Sequence, residues 1–333
     1  MKKLPAKSRW GGALLALVFS AAACASGGAV SPEEYYSLGV AYMDLGKYDE
    51  AEKWFERAEA FDKTRNAARY NLGRVAFETG RYAEAAEIFE SLLRRDPSNV
   101  TTLKAAAYAS IRNGDMEKAL AHYEKILSLV PPDADDGYNY ALVLLATGKA
   151  DEAETEILKY SFALLENPDL LLLYARVQRA QGKVEAVDTY ASYLADHNDP
   201  LVRYEYALSL EKAELYARAL EQYDDILSSA SGDPGTSLSR LDVRFARSRL
   251  LLIADSQSDE GLTGLRALLD EGYKAEDKFN ALLEDSLITT SQKESIQTMI
   301  RSRSERPAES SAEESVEERS EHDVERSAES TNE

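Results

Sequence analysis

Residues 31–61 read SPEEYYSLGVAYMDLGKYDEAEKWFERAEAF, and residues 70–89 read YNLGRVAFETGRYAEAAEIF. In both stretches a Leu-Gly pair is followed by a second glycine, and then by an alanine and a phenylalanine at the same distances. The second glycine recurs every 34 residues, at Gly46, Gly80, Gly114, Gly148 and Gly182. A fixed period of this length is typical of a solenoid built from one repeated supersecondary unit.

Each repeat predicts two antiparallel helices. The recurring glycine is expected to end the first helix, because a residue without a Cβ adopts left-handed backbone geometry at little cost. A small residue before that glycine, such as Gly39 or Gly73, lets the second helix cross closely, and Phe55 or Phe89 then enters the core. No stretch alternates polar and apolar residues with a period of two over a useful length, so no sheet is predicted.

The combined pattern resembles the tetratricopeptide repeat. The first copy has the family's residues in the family's order: Tyr35, Leu38, Gly39, Tyr42, Gly46, Ala51 and Phe55. Later copies are looser, and a sixth copy has Glu214 in the position of the glycine. The resemblance implies an all-α fold, a right-handed superhelical solenoid of about six helical hairpins, with C-terminal helices that cap its end.

The chain is expected to divide into five parts. A lipoprotein-type signal peptide covers residues 1–23, a flexible tether covers 24–31, and the solenoid covers 32–230. The repeats are expected at about 32–65, 66–99, 100–133, 134–167, 168–199 and 200–231. A degenerate hairpin and capping helices are expected over 232–303.

The last part, residues 304–333, consists mainly of Glu, Ser and Arg. Such a segment cannot bury enough apolar surface to offset its conformational entropy, so we predict a disordered acidic tail. It is interpreted as a solubilising extension, with an acidic interaction tail as the alternative.

The N-terminus has the pattern of an export signal. Basic residues precede a short apolar run over 11–19, and small residues then lead to Cys24, the only cysteine in the chain. This order is typical of a secretory signal, and the run is short for a membrane-spanning helix. Cys24 lies where a bacterial lipoprotein signal places its lipidated cysteine. The alternative is ordinary cleavage after an Ala-x-Ala site, with Cys24 incidental.

Charge excludes some classes of partner. The formal net charge is −20, so phosphate-rich nucleic acid and anionic lipid headgroups are disfavoured as ligands. The three histidines have no metal-ligand spacing, and no Gly-rich phosphate loop is present. We therefore expect no enzyme: no catalytic residues, no metal site, no cofactor and no small-molecule substrate.

In tetratricopeptide proteins, the first helices of successive hairpins line a concave groove that binds partners. The resemblance carries that role to ten residues here: Tyr36, Tyr70, Arg74, Lys104, Tyr108, Arg112, Tyr138, Arg176, Arg179 and Tyr204. Tyrosine and arginine are the residues that most often anchor interfaces. The alternative is that the tyrosines pack between hairpins and that the cations pair with neighbouring acids.

Together these features predict an exported adaptor or scaffold lipoprotein of the bacterial cell envelope. It would be anchored by its N-terminal lipid, with the outer membrane facing the periplasm as the favoured location. Its partners would be envelope proteins, bound through a segment with some acidic character. The alternative is a surface or periplasmic structural lipoprotein that has no specific partner.

Overall fold

The computed structural model describes residues 30–131, 133–228, 238–255 and 259–304. The signal peptide, Cys24 and nearly all of the acidic tail lie outside the described residues. Within those ranges every regular element is a helix and no strand is present. The prediction of an all-α fold without a sheet is confirmed.

The chain forms two compact units, Met1–Lys183 and Val184–Glu333. The helices of the N-terminal unit are α1 Pro32–Asp44, α2 Tyr48–Glu59, α3 Arg65–Glu78, α4 Tyr82–Leu93, α5 Val100–Asn113, α6 Met116–Leu129, α7 Ala134–Ala146, α8 Ala150–Leu158 and α9 Pro168–Gln181. A turn of 3-10 helix spans Ser161–Ala163. The helices of the C-terminal unit are α10 Ala186–Leu194, α11 Pro200–Lys212, α12 Tyr216–Ser228, α13 Arg240–Ala254, α14 Glu260–Asp270, α15 Glu276–Glu284 and α16 Thr290–Ser304.

The first helix begins at a complete capping box. The hydroxyl of Ser31 accepts a hydrogen bond from the backbone N–H of Glu34 at 3.2 Å, and the Glu34 carboxylate accepts one from the Ser31 N–H at 2.7 Å. Pro32 fills the first helical position, where its missing N–H is not needed. These interactions satisfy N–H groups that a helix start would otherwise leave without partners.

The recurring glycines lie at the turns between the two helices of each hairpin. Their φ angles are all left-handed, from +70° to +84°, at Gly46, Gly80, Gly114, Gly148 and Gly182. Glu214 has the corresponding position in the sixth hairpin and a φ of +58°. The same turn geometry is therefore kept where the sequence lacks glycine.

The two helices of the first hairpin cross closely at Gly39. A Cβ built on Gly39 would lie 2.6 Å from the ring of Phe55, so a larger residue would displace that ring. Phe55 is fully buried together with Ala51 and Ala58. The small residue on α1 and the aromatic residue on α2 therefore form one complementary contact, as the repeat pattern predicts.

The outer face of α1 differs from the same face of α3. At positions where α3 is buried, with Ala68, Asn71 and Val75, α1 exposes Glu34, Ser37 and Ala41. Helix α3 packs there against the first hairpin, whereas this face of α1 has polar or small residues suited to water. Solenoids need such polar faces at their ends.

The fourth hairpin departs from the pattern of the others. Helix α8 ends at Leu158, and the chain turns so that the ring of Tyr160 covers Gly137 of α7. The Tyr160 hydroxyl donates a hydrogen bond to the backbone carbonyl of Asp133 at 3.1 Å. A Cβ at residue 137 would collide with this ring, so Gly137 is required by packing.

The C-terminal unit has its own apolar core between α13 and α16. Phe245 of α13 contacts Phe279 of α15 edge to face, with ring centroids 5.1 Å apart. Leu252, Leu265 and Ile296 are fully buried in the same cluster. Across the described ranges, no helix is both long enough and apolar enough to cross a bilayer.

Candidate partner-binding groove

Most of the predicted groove residues lie on the first helices of the hairpins in the N-terminal unit. We call the following set the groove face: Tyr36, Tyr70, Arg74, Lys104, Tyr108, Arg112, Tyr138, Arg176 and Arg179. Tyr204 lies on α11 in the C-terminal unit, where its ring is 5.7 Å from that of Tyr223. This ring contact makes Tyr204 part of the packing of its own hairpin, and burial there raises the pKa of its hydroxyl.

Asn71 links two residues of the groove face, one in each of the first two hairpins. Its Nδ2 donates to the hydroxyl of Tyr36 at 3.0 Å, and its Oδ1 accepts from Nη1 of Arg74 at 3.1 Å. Asn71 is buried, whereas Arg74 remains exposed. A buried amide thus orients both a tyrosine and an accessible cation on the groove face.

Lys104 is held in a partly buried ion pair. Its ammonium lies 2.6 Å from Oδ2 of Asp136 and 3.3 Å from Oδ2 of Asp133. Burial lowers the pKa of the Lys104 ammonium, but the two carboxylates outweigh it and raise the pKa above its usual value. For this residue the structure agrees with the alternative interpretation, in which a predicted groove cation pairs with neighbouring acids.

All four tyrosines of the groove face are half-buried. Tyrosine hydroxyls are ordinarily neutral near pH 7, and burial raises the pKa of Tyr70, Tyr108 and Tyr138 further. The Tyr108 hydroxyl accepts a hydrogen bond from Nδ2 of Asn139 at 2.9 Å. Each tyrosine therefore combines an apolar ring with a neutral polar group, a combination that suits interfaces.

Arg112 lies on an aromatic platform near the turn of the second hairpin. Its guanidinium carbon is 4.4 Å from the ring centroid of Tyr82 and 5.9 Å from that of Phe77. It also donates a hydrogen bond to the Tyr82 hydroxyl. Arg112 is nevertheless exposed, so one side of the guanidinium is held while the charge stays accessible.

The last two cations of the groove face lie on α9. Arg176 is close enough to Tyr138 to lower its pKa, in opposition to burial and to the charge of Asp169. The Nε of Arg179 is buried, and among the described residues no hydrogen-bond acceptor reaches it. Both side chains are partly buried, in contrast to Arg74 and Arg112.

The two asparagines that order this face were not among the predicted site residues. Asn71 and Asn139 have the same position in the second and fourth repeats, two periods apart. Both are buried, and each donates to a tyrosine of the preceding hairpin. The sequence signal for these two residues was an amide that recurs at a repeat position where the first, third and fifth copies have small or apolar residues.

Across the described part of the chain, no group of three or more His, Cys, Asp or Glu side chains is placed to hold a metal ion.

Similarity to known proteins agrees with the repeated hairpins. A tetratricopeptide repeat family model matches three overlapping stretches, residues 18–68, 36–100 and 70–138. This part of the chain belongs to the tetratricopeptide repeat family. A tetratricopeptide repeat protein from Parabacteroides merdae ATCC 43184 has a similar solved structure, with a TM-score of 0.54 over 76% of this chain and 97% of that one. At 20% identity, this likeness supports the repeat fold alone.

A sequence relative comes from Treponema pallidum (strain Nichols), where it is described as an uncharacterized lipoprotein. It is 29% identical over 152 residues, which are 45% of this chain and 77% of the relative. Its description gives a class of protein and no partner.

Proposed function

We propose that this protein is a membrane-anchored adaptor of the bacterial cell envelope that binds a segment of a partner protein on the groove face. The observation that carries the proposal is the placement of Arg74 and Arg112. Both are exposed cations in a chain of net charge −20, and both are oriented by neighbouring side chains. Tetratricopeptide repeat proteins generally act as non-catalytic scaffolds, and this role agrees with the proposal.

The chemistry of the groove face defines the partner segment. Half-buried tyrosine rings at residues 70, 108 and 138 offer apolar contact with neutral hydroxyls. Arg74 and Arg112 would receive carboxylates on the partner, since charge-assisted hydrogen bonds to arginine are strong and directional. The partner segment is therefore expected to combine apolar or aromatic side chains with acidic ones.

Attachment to a membrane is supported by the similarity to a lipoprotein and by the signal-like N-terminus. We infer that the protein is exported and acylated at Cys24, with the outer membrane facing the periplasm as its location. The test is fatty-acid labelling of the wild-type protein against Cys24→Ser. We expect the label to be lost in the variant, and equal labelling would contradict the anchor.

The groove is tested by charge reversal with a matched control. The Arg74→Glu/Arg112→Glu variant changes two exposed groove cations, whereas Lys53→Glu/Lys125→Glu makes the same change in net charge on the second helices α2 and α6. Crosslinking in cells, followed by identification of the bound proteins, should give a defined set with wild type and control. We expect that set to disappear in the groove variant.

Two other outcomes would reject the groove. An unchanged set in the groove variant would show that partners bind elsewhere. Recovery of only random neighbours with the wild type would favour the structural lipoprotein without a specific partner.

A further inference from the structure

One edge of the N-terminal unit collects the connections between successive hairpins. There the second helix of each hairpin ends and the first helix of the next begins; we call this the inter-hairpin edge. Side chains link its loops: Lys63 pairs with Glu33, Arg95 donates to Asn66 at 3.0 Å, and the Tyr160 hydroxyl donates to the Asp133 carbonyl at 3.1 Å. Val30, where the described chain starts, is also at this edge.

Large exposed hydrophobic residues concentrate at this edge. In the described part of the N-terminal unit they are Val30, Phe61, Leu129, Leu158, Phe162 and Leu165. At the opposite edge, where the turn glycines lie, the corresponding set is Leu45 alone within the same described residues. This asymmetry is not expected if exposed hydrophobic residues are scattered singly.

Phe162 and Leu165 are the most exposed of these residues, at 80% and 84%. Their neighbours Tyr160, Ala163 and Leu164 pack into the core of the fourth hairpin. The core contacts of these neighbours therefore fix the segment in place, whereas Phe162 and Leu165 are exposed to solvent. Exposed apolar surface of this kind marks an interaction site.

We propose that the inter-hairpin edge lies against the lipid bilayer and that its exposed hydrophobic side chains enter the interface between headgroups and acyl chains. The inference rests on the proposed acylation of Cys24. From Cys24 the chain reaches Val30 in six residues, which span at most about 20 Å when fully extended. The lipid would thus hold this edge, and not the opposite one, next to the membrane.

The bilayer fits the pattern better than a protein partner. The apolar side chains lie at the start of the first hairpin and at the connections that follow the first, third and fourth hairpins, and they do not gather in a groove. A stable protein interface buries about 1,200–2,000 Å² with close packing around a central cluster. A laterally continuous fluid surface can accept separate side chains, and Phe and Leu are residues that enter it.

The inference also agrees with the charge of the chain. A net charge of −20 gives little electrostatic attraction to anionic headgroups. Apolar insertion and the acyl chains would supply the contact. The acyl chains would hold the protein at the membrane, and a second apolar contact along the edge would orient it there.

The test uses a matched pair of exposed leucines at opposite edges. Leu165→Cys and Leu45→Cys are made in the full chain, whose natural cysteine, Cys24, is blocked by acylation. Each new cysteine carries a bimane fluorophore, and the acylated protein is reconstituted into phosphatidylcholine vesicles with or without a doxyl-labelled quencher lipid. We expect about twofold or greater quenching at residue 165, where the probe would lie about 5–10 Å into the interface, and none at residue 45.

Fatty-acid labelling of the same preparations separates the two proposals. Acylated protein with equal quenching at residues 45 and 165 would overturn the edge inference and leave the anchor intact. Protein without acylation would overturn both. If the probe at residue 165 is shielded from aqueous iodide without being quenched by the labelled lipid, then a second copy or a protein partner covers the edge, and the inference is wrong.

Discussion

Asn71 on α3 donates a hydrogen bond from Nδ2 to the hydroxyl of Tyr36 on α1, with 3.0 Å between the two atoms. The other end of the same amide accepts from Arg74 at 3.1 Å. One buried side chain therefore connects two hairpins and positions an exposed cation. This contact couples the packing of the repeats to the surface that we propose for partner binding.

Replacing Asn71 with leucine should weaken both stability and binding. Leucine has nearly the same size but makes neither hydrogen bond, and it leaves the Arg74 guanidinium without its oriented acceptor. We expect a loss of about 1–2 kcal/mol in the free energy of unfolding, measured by urea denaturation. Partner capture by the crosslinking assay should fall as well.

Asn139→Leu is the matched control for this prediction. It removes the equivalent hydrogen bond to Tyr108 at the same repeat position but does not touch Arg74. Its cost in stability should be similar, with a smaller effect on capture. Equal capture by the two variants would show that the orientation of Arg74 does not matter.

The ion pair between Lys104 and Asp136 predicts that replacing Lys104 will lower the stability of the protein by an amount that depends on pH. Burial raises the pKa of Asp136 above its ordinary value of 3.8, in opposition to Lys104. The folded state therefore holds this proton more tightly than the unfolded chain does, and the contribution of Asp136 to stability falls as pH rises above about 3.8. Lys104→Met removes the compensating charge, so the pKa of Asp136 should rise further.

We expect Lys104→Met to destabilise the protein by about 2 kcal/mol at pH 7, less than a fully buried pair would lose because Lys104 is partly exposed. The loss should be smaller near about pH 4, where Asp136 is protonated more readily in the folded state. Urea denaturation at both pH values checks this. Lys104→Met/Asp136→Asn, which removes both charges, should recover part of the stability at pH 7; if it does not, burial of the Asp136 charge is not the cause.

The sequence predicted the hairpins well because their determinants are local. Turn glycines and small crossing residues, such as Gly46 and Gly39, act on their own hairpin and repeat with a fixed period. The pairing of Lys104 could not be predicted in the same way. It depends on the path of the loop before α7, which brings Asp133 and Asp136 to a lysine on the preceding hairpin.

The same distinction applies to the fourth hairpin. In the repeat pattern, residue 137 has no defined partner, and the early end of α8 has no clear sequence signal. Only the folded chain shows that Tyr160 takes the space above Gly137. Exposure likewise separates Arg74 and Arg112 from Lys104, although all three appeared equivalent as cations on the groove face.

The left-handed turn position, which is a glycine in five hairpins and Glu214 in the sixth, predicts opposite effects for two substitutions. Gly80 has a φ of +80°, and a Cβ there would meet nothing within 4 Å, so Gly80→Ala introduces backbone strain without a collision. We expect it to lower the free energy of unfolding by about 1 kcal/mol. Glu214→Gly should raise it by about 0.5–1 kcal/mol, because glycine removes strain from a residue at φ +58°.

Thermal and urea denaturation of both variants measure these effects. Ala121→Gly, at an exposed position in the interior of α6, is a control for the general cost of glycine in a helix and should be destabilising by about 0.5–1 kcal/mol. If Glu214→Gly destabilises the protein in the same way, the left-handed turn is not a source of strain.

Gly137→Ala should be one of the more damaging single substitutions in the N-terminal unit. The new Cβ would occupy the space of the Tyr160 ring, which must move and give up its hydrogen bond to the Asp133 carbonyl. Overpacking of this kind typically costs about 1–3 kcal/mol, measured here by urea denaturation. Gly137→Ala/Tyr160→Ala removes the ring and tests the cause directly. Because the collision then disappears, adding Gly137→Ala to Tyr160→Ala should cost little or nothing, whereas equal losses in the two backgrounds would mean that Tyr160 does not impose the glycine.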